Sequence, residues 1–239
     1  MTGDCVTAWL IRTDLPDERL GRLDATLDDH ERERARGMAG PAARARFVAV
    51  HGSVREIVGR RVGAAPERLR WRYGPHGKPE LDGAGMPQVS FSESDGVAML
   101  AVCDARPVGI DVQRILSPHT ALRIAERYFD PDEVRFLVAA PDSLVAGHFT
   151  SLWSRKEACV KAHGGRLAQS LKLPVRTPDG VVRDPDGALP GVCRLSDVPA
   201  PPGYRAALAV LGADGYAVHS GEWPPPEPEP GPRTSPDAP

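Results

Sequence analysis

Apolar and polar positions along this chain change their period several times, and each change marks an expected element. Val6 to Arg12 alternates, which predicts an opening strand. Pro16 to Gly37 is charged, with leucines at helical spacing, and reads as helical segments. From Ala42 to Val62, residues Phe47, Val50, Val54, Ile57, Val58 and Val62 recur every three or four positions, the period of an amphipathic helix. Leu69 to Tyr73, Gln88 to Ser92 and Val97 to Val102 read as strands between Gly/Pro turns. Val108 to Gln113 is a further short strand. His119 to Phe129 is helical, and Pro131 opens another helix running to about Ala139, at a position where its missing N–H costs nothing. Phe149 to Ala162 is a helix stopped by Gly164-Gly165. Val192 to Leu195, Tyr204 to Leu211 and Tyr216 to Ser220 are expected closing strands.

Helices and strands thus follow each other twice, in halves of similar length with no visible sequence repeat. The order predicts an α+β fold with mostly antiparallel strands and helices on one side of each sheet. From Trp223 onward the composition turns to Pro, Glu, Gly and Ser, so residues 223–239 are expected to be a Pro-rich disordered tail.

Two segments carry candidate chemistry. In Trp153-Ser154-Arg155-Lys156-Glu157-Ala158-Cys159-Val160-Lys161, residues Trp153, Glu157 and Lys161 fall at i, i+4 and i+8, along one side of a helix. An acid one turn before a lysine is either a surface ion pair or a metal ligand beside a phosphate-binding ammonium. In Val108-Gly109-Ile110-Asp111-Val112-Gln113, Asp111 and Gln113 share one face of the strand, and Ile110 and Val112 the other. Asp111 either caps a turn or offers a hard oxygen to a magnesium-sized cation. Such a cation takes one or two protein carboxylates and fills the remaining positions with water and substrate phosphate. Trp153 has no chemical task and is expected to pack in the core.

Charge and cysteine usage narrow the classes. With 30 Lys and Arg against 32 Asp and Glu, the net charge of −2 argues against a general nucleic-acid binder. Cys5, Cys103, Cys159 and Cys193 are scattered, with neither a zinc-binding spacing nor a disulfide framework, and Cys159 reads as a small core residue. No apolar run is long enough to span a bilayer, and the N-terminus lacks a signal-peptide pattern. The expected setting is the cytoplasm, without membrane or nucleic-acid partners.

Taken together, the two segments resemble the Sfp-type 4'-phosphopantetheinyl transferases, whose signature pairs a GID-V/I-E strand with a WSxKEAxxK helix some forty residues later. Here the pair reads Gly109-Ile110-Asp111-Val112-Gln113 and Trp153 through Lys161. Gly77-Lys78-Pro79 matches the family's GKP segment, and Phe91-Ser92-Glu93-Ser94 matches its F-x-x-S-H-S stretch approximately. The likeness runs from about Arg32 to Arg166. It implies two similar α/β lobes in a pseudo-twofold arrangement with the active site in the cleft between them. The lobes would span residues 1–105, on the coenzyme A side, and 106–222, carrying the metal and catalytic motifs.

The resemblance implies transfer of the phosphopantetheine arm of coenzyme A to a serine of an apo acyl, peptidyl or aryl carrier protein, releasing adenosine 3',5'-bisphosphate, by a monomeric enzyme using magnesium or alternatively manganese. Asp111, Gln113 and Glu157 are the implied metal ligands, and Asp111, Glu157 and Lys161 the catalytic residues. Glu157 would act as general base, and Lys161 would meet charge on the leaving phosphate. Arg34, Arg46, Lys78, Ser92, Glu93, Ser94, Lys156 and Lys161 would contact coenzyme A. Two positions depart from the pattern. Glu93 stands where the family has the His of SHS, and Gln113 stands where it has a second acid, leaving a hard ligand without charge. These departures leave open a degenerate member that binds coenzyme A or a carrier without catalysis. The segments His119 to Ala139 and Arg166 to Lys172 are implied as the docking surface for an acidic carrier.

Overall fold

The computed structural model describes residues 4–225. Its strands are β1 (Asp4–Arg12), β2 (Trp71–Tyr73), β3 (Pro79–Leu81), β4 (Gln88–Ser94), β5 (Val97–Cys103), β6 (Val108–Arg114), β7 (Val181–Arg183), β8 (Val192–Val198), β9 (Tyr204–Leu211) and β10 (Tyr216–Trp223). Its helices are α1 (Asp17–Thr26), α2 (Asp29–Arg36), α3 (Pro41–Val62), α4 (Pro118–Tyr128), α5 (Pro131–Val138) and α6 (Asp142–His163). The fold is mixed α+β. One four-stranded sheet has the order β10-β1-β5-β4, another the order β6-β9-β8-β7, and β2 and β3 form a separate hairpin. All pairings are antiparallel except β1 with β10.

The two sheets share part of their connectivity. β1 leads to α3 and then to the hairpin β4–β5, whose second strand pairs with β1. β6 leads to α6 and then to β8 and β9, whose second strand pairs with β6. α3 and α6 each run 22 residues and end on a left-handed glycine, Gly63 and Gly164, where any Cβ would be strained.

Burial follows the strand alternation. Val6, Ala8, Met99 and Ala101 of the first sheet meet Val108, Ile110, Val112 and Leu208 of the second in a shared apolar layer. The other face of the first sheet packs under α3 through Ile11, Val54, Val58 and Leu100. The other face of the second packs under α4, α5 and α6 through Phe149, Leu152, Ala207 and Ala209. One helical layer therefore covers each sheet, as the sequence order implies.

Several expected boundaries move. α6 begins at Asp142 rather than Phe149, because Val145 and Ala146 are buried and prolong the apolar face. β3 and β7, three residues each, escape a periodicity reading. The strand expected from Tyr216 to Ser220 continues to Trp223 and joins β1 in the first sheet, so by pairing it leaves the 106–222 unit. Trp223 does not begin the tail: it is 4% exposed and meets Trp9 edge-on at 5.9 Å. The rest of the expected tail, from residue 226 onward, lies outside the described residues.

Candidate active site

Small residues bring the catalytic candidates together. On α6, Ser154, Ala158 and Ala162 are buried at four-residue spacing. They face a strip of the second sheet made by Gly109, Ala207 and Ala209, in which β6 pairs with β9. A Cβ on Gly109 would overlap the Ala158 oxygen and the Ala162 nitrogen and stand 2.9 Å from the carbonyl carbon of Lys161. Helix and strand thus touch backbone to backbone. Asp111, two residues along β6 on the same face as Gly109, is carried against the flank of α6 that bears Glu157 and Lys161.

Asp111 is completely buried. Its Oδ1 accepts hydrogen bonds from Ser92 Oγ at 2.7 Å and Lys161 Nζ at 2.6 Å. Lys161 Nζ also donates to Ser92 Oγ at 2.9 Å, closing a triangle. Asp111 Oδ2, equally buried, has no hydrogen-bond partner among the described residues. A buried carboxylate oxygen left unpaired is costly in an apolar interior and matches a position meant for an added ligand. Burial is the main influence pushing the Glu157 carboxyl above the ordinary carboxylate range; the charge of Asp111 adds to it and Lys161 opposes it.

The flanking strand β4 joins β6 through serines on one face. Ser90 Oγ accepts from Ile110 N at 3.1 Å, and Ser94 Oγ accepts from Arg114 N at 3.1 Å. Ser94 also donates to Gln113 Oε1 at 3.4 Å. These hydroxyls hold the edges of the two sheets together where Asp111 sits. Ser90 was not among the expected site residues; its place in the alternation Ser90, Ser92, Ser94 is the signal that reveals it.

Glu157 stands between two cavities. One of about 250 Å³ is lined by His76, Gly77, Lys78, Phe91, Lys161 and neighbours. The other, about 190 Å³, is lined by Gln113, Leu116, Ile124, Phe149, Trp153 and neighbours. Lys78 Nζ donates to the carbonyls of Val108, at 3.0 Å, and Ala162, at 3.2 Å, tying the β2–β3 hairpin to β6 and to the carbonyl end of α6. Burial lowers its pKa to about 8, with Glu80 opposing. His76, which sequence reading passed over, borders the same cavity and accepts from Arg166 Nε at 3.2 Å. Its position beside Gly77-Lys78-Pro79 was the available clue.

The remaining expected contacts divide. Glu93 lies on the opposite face of β4 from Ser92, where its carboxylate is 3.7 Å from Arg46 Nε. Its negative charge therefore meets a guanidinium. Arg34 rests over Phe47 at 5.2 Å and borders a further cavity of about 200 Å³ with His51, Tyr73, Gly77 and Phe91. Lys156 does not reach the cleft. It is 1% exposed, pairs with Glu133 at 2.6 Å, bonds the Leu173 carbonyl and lies over the Phe129 ring. Burial is the largest influence on Lys156 and lowers its pKa, with Glu133 opposing. One residue of helix turns it about 100° away from Glu157, into the core. Trp153 packs against Phe129 and Phe149, as expected.

Among the described residues no three His, Cys, Asp or Glu side chains cluster as a ready metal cage. The donors present are two carboxylates, Asp111 and Glu157, and the Gln113 amide. That set, with one carboxylate oxygen unpaired, suits a hard cation that keeps water and substrate oxygens in its shell. No helix among the described residues is long and apolar enough to cross a membrane.

Residues 107–188, which hold β6 and α6, match a family described as the 4'-phosphopantetheinyl transferase superfamily. The chain is 33% identical over 178 residues to the 4'-phosphopantetheinyl transferase HetI of Nostoc sp., covering 73% of this chain and 75% of that one. It is 29% identical over 166 residues to the 4'-phosphopantetheinyl transferase Sfp of Bacillus subtilis, covering 67% and 71%. With the HetI relative 33% identical and matched over three quarters of its length, and with Lys161 bonded to Asp111 beside Glu157, the chain belongs to the 4'-phosphopantetheinyl transferase superfamily.

Proposed function

We propose that this protein transfers the 4'-phosphopantetheine arm of coenzyme A to a serine hydroxyl of an apo carrier protein, releasing adenosine 3',5'-bisphosphate. The observation that carries the reading is the convergence of Asp111, Glu157 and Lys161 around a buried carboxylate oxygen that has no hydrogen-bond partner among the described residues. Asp111 and Glu157, with the Gln113 amide oxygen, would hold magnesium, which when bound neutralises the diphosphate of coenzyme A.

The chain's own groups divide the remaining work. Glu157, with its carboxyl raised by burial, accepts the proton of the carrier serine as that oxygen attacks the phosphorus bearing the pantetheine arm. Lys161 keeps its ammonium beside Asp111 and offers charge to the departing phosphate oxygen. Ser92 holds both of them and fixes the direction of the Asp111 carboxylate. Lys78 and Arg46 flank the coenzyme A side. The Arg46–Glu93 pair turns the Glu93 carboxylate to a cation, which offsets the repulsion a carboxylate at this position would exert on a diphosphate.

The repeated connectivity, β1–α3–β4–β5 and β6–α6–β8–β9, supports two lobes related by an approximate twofold. The cavity beside Glu157 that opens onto Leu116, 40% exposed, and Ile124 supports docking of the carrier along the start of α4. Incubation with apo carrier proteins, coenzyme A and magnesium should add the mass of the arm to the carrier serine. Absence of that gain on every carrier that an established transferase modifies would refute the proposal.

A further inference from the structure

On the helix-covered face of the first sheet lies another cavity, of about 510 Å³, which shares no lining residue with those beside Glu157. The parallel pairing of β1 with β10 sets Thr7 opposite His219 and Cys5 opposite Ala217. Cys5 and His219 therefore project from the same face, one pleat apart. The Cys5 thiol lies 3.5 Å from His219 Nδ1. Cys5 is exposed, whereas Cys103, Cys159 and Cys193 are buried.

Positive charge gathers at the rim. The last turn of α3 places Arg60 over the Trp223 ring at 4.4 Å and Arg61 along the same wall. Arg61 pairs with Asp104, but both side chains are more than half exposed, so that pair exchanges readily for another anion. Glu56 is already engaged by Arg19 and by Trp223 Nε1. An accessible thiol beside an imidazole, in a cavity also lined by two arginines, is the setting in which a cysteine is reactive toward anionic partners.

We propose that Cys5 is a thiol–disulfide exchange site for anionic low-molecular-weight disulfides. His219 Nδ1 accepts the thiol proton, and the Cys5 sulfur attacks one sulfur of the disulfide. A new bond forms between the two sulfurs as the old S–S bond breaks. The departing thiolate takes up a proton, so Cys5 is oxidised to the mixed disulfide while half of the incoming disulfide is reduced to a thiol. Arg60 and Arg61 receive the carboxylates of the incoming molecule. The chemistry needs no oxidant beyond that disulfide.

The test uses the full chain with oxidised glutathione as the anionic disulfide and cystamine as the cationic one, followed by intact mass and peptide mapping. Each rate is divided by that of the same protein unfolded in urea, which removes the intrinsic difference between the two reagents. A single adduct on Cys5, reversed by dithiothreitol, is expected. Folding should favour oxidised glutathione over cystamine by about tenfold at low salt, a margin that shrinks as salt is added. H219Q should slow the adduct by about tenfold, and R60A/R61A should abolish the preference for the anion. C5S should give no adduct while transfer of the phosphopantetheine arm is unchanged. An adduct on another cysteine of the folded protein, equal normalised rates for the two reagents, or an unslowed H219Q would overturn the proposal.

Discussion

Gly109 and Ala158 meet backbone to backbone: a Cβ added to the glycine would overlap the Ala158 carbonyl oxygen. The glycine is required for that close approach. The same contact sets the distance between Asp111 on β6 and the Glu157–Lys161 flank of α6, the groups to which the proposed function assigns the chemistry.

G109A should therefore damage both fold and activity. The nearest atoms the methyl group would meet are backbone atoms of Ala158, Lys161 and Ala162 rather than flexible side-chain ends, so overpacking should cost about 1–3 kcal/mol or more. The phosphopantetheine transfer rate should fall further than the fraction of folded protein does, because α6 is pushed off β6. Urea unfolding and transfer assays on one preparation check this; a variant with native activity per folded molecule would refute it.

The grouping of Asp111 with Glu157 and Lys161 was legible in the chain because each of its two motifs is local. Asp111 alternates with Gln113 on one strand, and Glu157 and Lys161 are a helical turn apart. Lys156 shows what adjacency conceals. Next to Glu157 in sequence, it is in phase with Leu152 and Cys159, so a helical projection alone assigns it to the core. The extent of α6 was less legible, because Gly147 interrupts its beginning and tertiary burial of Val145 and Ala146 overrides the weak propensity. β10 exposes a different limit. Its strand character is local, whereas its partner, β1, lies some two hundred residues earlier, and no local pattern encodes that choice. Trp223 was obscured by the prolines that follow it.

Glu157→Gln should separate stability from function. In the metal-free protein the Glu157 carboxyl is raised by burial first and by Asp111 second. The folded chain thus holds this proton to higher pH than the unfolded chain does. Stability falls as pH rises from the ordinary carboxylate value through the raised one, and the ionised group is a burden above it. E157Q removes that burden. With chelator present, the variant should be at least as stable as the parent at weakly alkaline pH, while transfer drops by about a hundredfold or more. A variant clearly less stable than the parent there would contradict the assignment.

Lys78 titrates in the opposite sense. Burial brings its pKa from 10.5 to about 8. Between those values the unfolded chain carries a proton that the folded chain has lost, so this residue makes stability rise as pH climbs through the window. Below about 8 both states are charged and the full penalty of burying the ammonium applies. The neutral amine retains two N–H groups for the carbonyls of Val108 and Ala162. The difference in unfolding free energy between the parent and K78M should therefore grow across the window and flatten beyond it. A difference independent of pH would place Lys78 in a wetter setting than the fold gives it.

The Lys156–Glu133 pair tests the reassignment of Lys156 from substrate contact to core. Both side chains are almost wholly buried, and Glu133 Oε1 also accepts from Val175 N at 2.9 Å. K156M alone strands the Glu133 carboxylate and should cost about 3–5 kcal/mol. K156M/E133Q removes the orphaned charge, and its amide oxygen can still accept from Val175 N, so most of that loss should be recovered. Since Lys156 lies on the core side of α6, the folded double variant should keep the parent's KM for coenzyme A. Urea midpoints for the single and double variants measure the first effect, and transfer kinetics at varied coenzyme A the second. Recovered stability together with a tenfold higher KM would return Lys156 to the substrate.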